Sequence, residues 1–287
     1  MWSALRNHWP EYFMEAWGLG LFMISAGLFA SLLFAPESPV AQSLANDWIR
    51  AALMGLAMGL TAIAIIYSGW GKRSGAHINP AVTLTFFRLK KISPWDALFY
   101  VLAQFIGGLL GIFLVALLLR GVFTEPPVNY IVTVPGKWGI AIAFVTEFLF
   151  SFGLMLIVLI TSNIIQLSKY TGVFAGTMVA LFITFGSSVS GMSINPARTF
   201  ASAFPAQIWT AFWIYYLAPP IAMLTAAELY KWSSGLRTRS ICCKLHPNGE
   251  TNCISIDCCS HCDCLVRPWN DKDEAISPAP LSSDSIH

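Results

Sequence analysis

Charged side chains are scarce in this chain of 287 residues: 11% of it, against 56% hydrophobic residues and a mean hydropathy of +0.62. Soluble domains carry roughly 25% charged residues, so an ordinary water-facing surface is excluded. The apolar residues fall in continuous runs, about 12–34, 49–68, 94–119, 139–162, 172–189 and 208–230. They do not alternate in polarity, which excludes a transmembrane β-barrel. At ~1.5 Å per residue each run is long enough to cross ~30 Å of hydrocarbon. The expected class is an all-α, multi-pass integral membrane protein with six spans. Cysteine is absent from residues 1–241; all seven lie between 242 and 264. Histidine is nearly absent from the same part, with only His8 and His77. That leaves no His/Cys metal set and no nucleophile–base pair in the membrane part, so an enzyme is not expected there. Nor is a nucleic-acid partner.

The few charges are distributed unevenly. Lys72, Arg73, Arg88, Lys90 and Lys91 lie between the second and third runs, Lys169 lies between the fourth and fifth, and Lys231, Arg237, Arg239 and Lys244 follow the sixth. The connections between the first and second runs and between the third and fourth offer only Arg50, Arg120 and Lys137 as positive residues, and acidic residues such as Glu37 and Asp47 accompany them. Positive residues mark the cytoplasmic side, so both termini are expected in the cytoplasm. The first run carries Glu15 and exceeds a secretory h-region in length, which reads as an uncleaved span. The expected divisions are a cytoplasmic N-terminus at 1–11, a membrane unit at 12–230 and a cytoplasmic tail at 231–287, Cys-rich and then disordered.

The membrane unit reads as a duplication, with repeat 1 at about 12–119 and repeat 2 at about 139–230. "FMEAWGLGLFMISAG" and "FVTEFLFSFGLMLIV" each place one Glu, Glu15 and Glu147, early in an apolar helix. The second run of each repeat carries small residues four apart, Gly55/Gly59 and Gly172/Gly176, a spacing that lets helix backbones approach. Each is followed by a near-copy, "SGAHINPAV" or "SGMSINPAR". Three spans per repeat is an odd number, so the second repeat enters the membrane from the opposite side, as in inverted-repeat transporters.

Asn-Pro-Ala has a local physical reading. Asn79 and Asn195 can cap a helix whose first residue is Pro80 or Pro196, where proline's missing N–H costs nothing. "PAVTLTFFR" and "PARTFASAF" are then re-entrant half-helices of about nine residues, ~14 Å long. One enters from each side, and the two tips meet near the midplane. Irregular backbone at that depth must line a wet cavity or be buried in protein. This predicts that 71–78 and 187–194 line a pore, with the two Asn amide N–H groups pointing into the gap.

The two full motifs, the flanking "SGAH", Arg198 three residues after the second Asn, and the two helix Glu residues together resemble the aquaporin, or major intrinsic protein, family over about residues 10–230. The resemblance implies six tilted helices, two half-helices, one pore per subunit and a homotetramer in the lipid bilayer. It implies a passive channel for water and small neutral solutes, without a cofactor for transport, that excludes ions and protons. Pore residues would be Asn79, Pro80, Ala81, Asn195, Pro196 and Ala197. The selectivity filter would be Met58, Ile183, Met192 and Arg198, and Glu15, Glu147 and His77 would support it. Thr199, Ala203, Tyr215 and Tyr216 are the substrate-related positions. Thr199 after the Arg and the pair Tyr215-Tyr216 favour water over glycerol, while Ile183 and Met192 make the filter more apolar than a His-containing one. A facilitator for glycerol, ammonia or another small neutral solute is the alternative. In the tail, Cys243, His246, Cys253, Cys259 and Cys262 could form a tetrahedral site for zinc or a similar metal. A membrane-anchored metal or redox sensor acting through that tail is the reading from another class.

Overall fold

The computed structural model describes residues 1–234 together with Lys244, Leu245 and Ile254. Eight helices carry the fold. They are α1 (Trp2–Phe34), α2 (Asp47–Tyr67), α3 (Pro80–Arg88), α4 (Pro94–Leu119), α5 (Gly139–Ser162), α6 (Thr171–Ser190), α7 (Pro196–Ala206) and α8 (Trp213–Ser234). The rest of the described chain is short turns of helix and irregular connections, with no strand among the described residues. Local chemistry sets several boundaries. Asn46 caps α2 by accepting from the Trp48 and Ile49 amides, and Ser93 caps α4 with Pro94 as its first residue. α1 stops at Phe34, because Pro36 pushes Ala35 into an extended conformation.

α1 begins ten residues earlier than its apolar run. Residues 2–11, expected as a segment ahead of the span, are helical. Polar contacts hold this extra length: Arg73 Nε donates to Glu11 Oε1 at 2.8 Å, and His8 Nδ1 lies 2.8 Å from Asp96 Oδ1. Pro10 sits inside the helix, where it removes only one backbone donor.

Five helices (α1, α2, α4, α5 and α6) are long and apolar enough to cross a membrane. The sixth expected span, α8, matches them in length at 22 residues, or ~33 Å. It is more polar, with Pro219, Pro220, Glu228 and Lys231 within it, and is not one of the five. The outward faces are apolar: Leu117 is 72% exposed and Leu110 63%. Such a surface suits lipid rather than water.

The packing has the symmetry of an inverted repeat. α1 packs on α4, and α5 on α8. α2 and α6 pair across the boundary between repeats. Each half-helix leans on the last long helix of the other repeat, α3 on α8 and α7 on α4. Glycines make the α2–α6 approach possible. A Cβ on Gly176 would lie 2.7 Å from the Gly59 carbonyl oxygen, and one on Gly55 would lie 2.4 Å from the Ala180 oxygen.

Candidate functional site

The two half-helices meet tip to tip. Asn79 Oδ1 caps α3 by accepting from the Ala81 amide at 2.9 Å. Asn195 Oδ1 caps α7 by accepting from Ala197 and Arg198 at 3.1 and 3.3 Å. The amide nitrogens then cross over. Asn79 Nδ2 donates to the Ile194 carbonyl, and Asn195 Nδ2 to the Ile78 carbonyl, each at 2.8 Å. This corrects the expectation that both amides are left wholly to the gap. Each nitrogen carries two protons; one tethers the opposite loop, and the second remains for whatever occupies the space between.

A buried carboxylate organises each re-entrant loop. Glu15 Oε1 accepts from Ser74 Oγ at 2.7 Å and the His77 amide at 3.0 Å, while Oε2 accepts from the Ile78 amide at 2.6 Å. Glu147 repeats the pattern with Ser190 Oγ at 2.7 Å, the Ser193 amide at 2.9 Å and the Ile194 amide at 2.6 Å. A tyrosine closes each loop from the other side: Tyr100 OH donates to the Ser74 carbonyl at 2.8 Å and Tyr215 OH to the Ser190 carbonyl at 2.5 Å.

These bonds hold backbone that would not be stable alone. Ile78 and Ile194 sit at φ 40° and 50°, and Ala76 and Met192 at 52° and 47°. Positive φ is a genuine outlier for a β-branched residue and costs about 1–3 kcal/mol. The three bonds that each Glu accepts from its loop, at about 0.5–1.5 kcal/mol net apiece, are together large enough to hold it. Gly191 also needs its lack of a side chain, since it sits at φ 78° and a Cβ there would lie 2.7 Å from the Val134 carbonyl. The irregular stretches are shorter than expected. A short helix fills 69–74 and α6 continues to Ser190, leaving 75–78 and 191–194.

A single cavity of about 530 Å³ runs past both tips, lined by residues from both repeats. Asn79, Asn195, His77, Ile78 and Ile194 line it, together with Met58, Ile183, Met192 and Arg198 from the expected filter. Gly71–Ala76, expected on the pore wall, are not among its lining residues. Pro80, Ala81, Pro196 and Ala197 are buried in the half-helices rather than on the wall. His77 lies between cavity and core: Nδ1 is 3.2 Å from Thr83 Oγ1, and the ring stacks on Phe86.

Several residues escape the motif reading. Thr133, from the connection before α5, pairs through Oγ1 with the Arg198 guanidinium. No signal in the sequence singles it out. Gln104 Nε2 bridges Glu15 Oε2 at 2.9 Å and Thr83 Oγ1 at 3.0 Å. A polar residue deep in an apolar run is the signal that could have found it. Thr199, Ala203, Tyr215 and Tyr216, expected to bear on substrate choice, do not line the cavity. Thr199 is hydrogen-bonded to Ser193, Ala203 is buried within α7, and Tyr216 lies against Phe105 and Phe212. The tail positions Cys243, His246, Cys253, Cys259 and Cys262 lie outside the described residues.

A doubled three-helix unit, two half-helix tips tethered to each other and a cavity running past them define a membrane channel scaffold. Comparison with known proteins agrees. Residues 3–230 match the family model described as Major intrinsic protein, and the chain belongs to that family. It is 33% identical over 208 residues to Aquaporin NIP3-1 of Zea mays, covering 71% of this chain and 67% of that one. It is also 33% identical over 194 residues to the probable aquaporin AqpM of Archaeoglobus fulgidus, covering 65% and 77%. Among solved structures it resembles the aquaglyceroporin of Plasmodium falciparum, with a TM-score of 0.63 and 23% identity over 78% of this chain and 96% of the other. At that identity the likeness speaks for the fold. Membership of that family indicates an integral membrane channel.

Proposed function

We propose that this passive channel conducts water as its main substrate, and excludes ions and protons at the tips of α3 and α7 and at Arg198. The observation that carries the reading is the crossed pair Asn79–Ile194 and Asn195–Ile78, which sets both tips on one cavity. Each helix N-terminus acts as roughly +0.5 charge, so two together approach one unit. Against a cation about 4 Å away that is ~4 kcal/mol at an effective dielectric near 20, about three orders of magnitude in passage. Lining donors and half-helix ends are the general physical account of aquaporin-type pores, and these residues fit it. Arg198 adds a second positive barrier. Neutral molecules that accept from Asn79, Asn195 and Arg198 meet no such penalty.

The spare proton on each amide holds a central water with its oxygen toward the tips, which breaks the orientation needed for proton hopping. The carbonyls of 77–78 and 191–194 supply acceptors; Met58, Ile183 and Val158 leave the rest of the wall apolar. The apolar filter positions Ile183 and Met192 also support ammonia or another small neutral solute as a second passenger. The Glu11–Arg73, His8–Asp96 and Arg88–Glu228 contacts gather the N-terminus, the 72–96 region and the end of α8 at one end of the molecule. Together with the positive residues there, this supports cytoplasmic termini. Four copies with one pore each is the assembly the family resemblance supports.

Reconstituted vesicles test the substrate. Under a sucrose gradient they should shrink faster than protein-free vesicles, and a glycerol gradient should dissipate no faster than through lipid. Glycerol entry without accelerated shrinkage would overturn the water assignment.

A further inference from the structure

One residue on the cavity wall comes from beyond the second repeat. Leu245, from the tail, sits on its wall, 7% exposed. Its backbone N–H donates to the Gly75 carbonyl at 3.1 Å. Its side chain joins the buried cluster that includes Ile66, Val82, Val158 and Ala175, all of them also cavity residues. Tyr230, in the last turns of α8, belongs to the same cluster. Ile254 packs against that cluster as well.

We propose that Leu245 is a built-in plug that closes the channel at the mouth opposite Arg198. The backbone bond and the side chain act together. The Leu245 N–H, donated to the Gly75 carbonyl at the start of the re-entrant loop, pins the residue in place. The side chain then sets an apolar group on the cavity wall, where the entering file of molecules must form. Single-file passage fails at one blocked point, so one residue is sufficient. Being tethered, the plug acts at high effective concentration without needing a strong contact. It reports on the tail: anything that engages residues near 245 shifts the balance between closed and open forms, and Cys242 and Cys243 stand immediately before it in the sequence.

The proposal rests on the channel reading above, and its test separates the two. The full chain is reconstituted with a site-specific protease sequence inserted after Gly235, so that the tail is released only after folding. Osmotic shrinkage is measured before and after cleavage, and for uncleaved Leu245→Gly, which removes the side chain, and Leu245→Pro, which removes the N–H donor. The expected result is a rise of about tenfold on cleavage, what a plug in place roughly nine-tenths of the time withholds. Leu245→Gly and Leu245→Pro should each recover a large part of that rise. Equal shrinkage in all four samples, faster than lipid alone, overturns the plug and leaves the channel standing. A rise on cleavage with none in either variant places the block elsewhere in the tail and overturns the assignment to Leu245. Shrinkage no faster than lipid in every sample overturns the channel reading, and the plug with it.

Discussion

The two repeats share a frame but not their furniture. In both, a Glu on the first helix accepts from a serine hydroxyl and two loop amides, and a tyrosine on the third long helix ties the loop from behind. Three residues beyond the capping Asn the likeness ends: repeat 1 has Val82 and repeat 2 has Arg198. Four residues beyond the tyrosine it ends again, with Gln104 in repeat 1 and Pro219 in repeat 2. Repeat 1 therefore carries a polar chain, Glu15–Gln104–Thr83–His77, that ends at the cavity wall. Repeat 2 puts a cation on the wall and holds it with Thr133. Positions common to both repeats build the fold, and positions that differ set what each half of the cavity does.

Removing the shared frame should do the most damage. Glu15→Leu strands four buried donors (Ser74 Oγ, two loop amides and Gln104 Nε2), whereas Glu147→Leu strands three. At about 1–3 kcal/mol for each unsatisfied group, both should cost at least about 3 kcal/mol, with Glu15→Leu the worse. Thermal unfolding in detergent checks the order; a larger loss from Glu147→Leu would break the comparison. Next comes the difference that carries charge. Arg198→Val, which makes repeat 2 resemble repeat 1, should keep water passage but raise proton or cation leak by about two to three orders of magnitude. A pH-sensitive dye inside the vesicles reads it, and an unchanged leak would remove Arg198 from the barrier.

Smaller effects sharpen the picture. Thr133→Val should leave stability within about 1 kcal/mol, the worth of one hydrogen bond, but raise the same leak by less than Arg198→Val does. Gln104 already has a buried, unpartnered Oε1. Gln104→Met removes that burden along with two donated bonds, so unfolding should shift by no more than about 1 kcal/mol in either direction. A loss as large as that of Glu15→Leu would show that Gln104 belongs to the frame.

Much of this was legible in the residues. The apolar runs at 94–119 and 139–162 coincide with α4 and α5, and the first half-helix spans Pro80–Arg88 as its capping Asn and leading Pro suggest. These depend on local periodicity and capping, which a sequence carries openly. The start of α1 was not legible, because its outer turns are held by Arg73 and Asp96 from distant parts of the chain. Thr133 and the crossed amides escaped for the same reason: each is a pairing between segments far apart in sequence. Tyr215 read as a substrate position from its place beside Tyr216, yet its hydroxyl is spent on the Ser190 carbonyl behind the loop. Leu245 gave no signal of its own, since a lone Leu in a polar tail has no periodicity to read.

The central claim is that water passes through the cavity beside the two tethered tips. Residues 1–241 contain no cysteine, so a single thiol can be placed at will once the seven tail cysteines are replaced by serine. Osmotic shrinkage of vesicles holding Ile183→Cys, on the cavity wall, is compared with that of Leu117→Cys, on the outer face, before and after a mercurial. The account predicts strong, thiol-reversible block for Ile183→Cys and none for Leu117→Cys. Equal sensitivity of the two, or an Ile183→Cys channel that conducts unhindered with mercury bound, would contradict it.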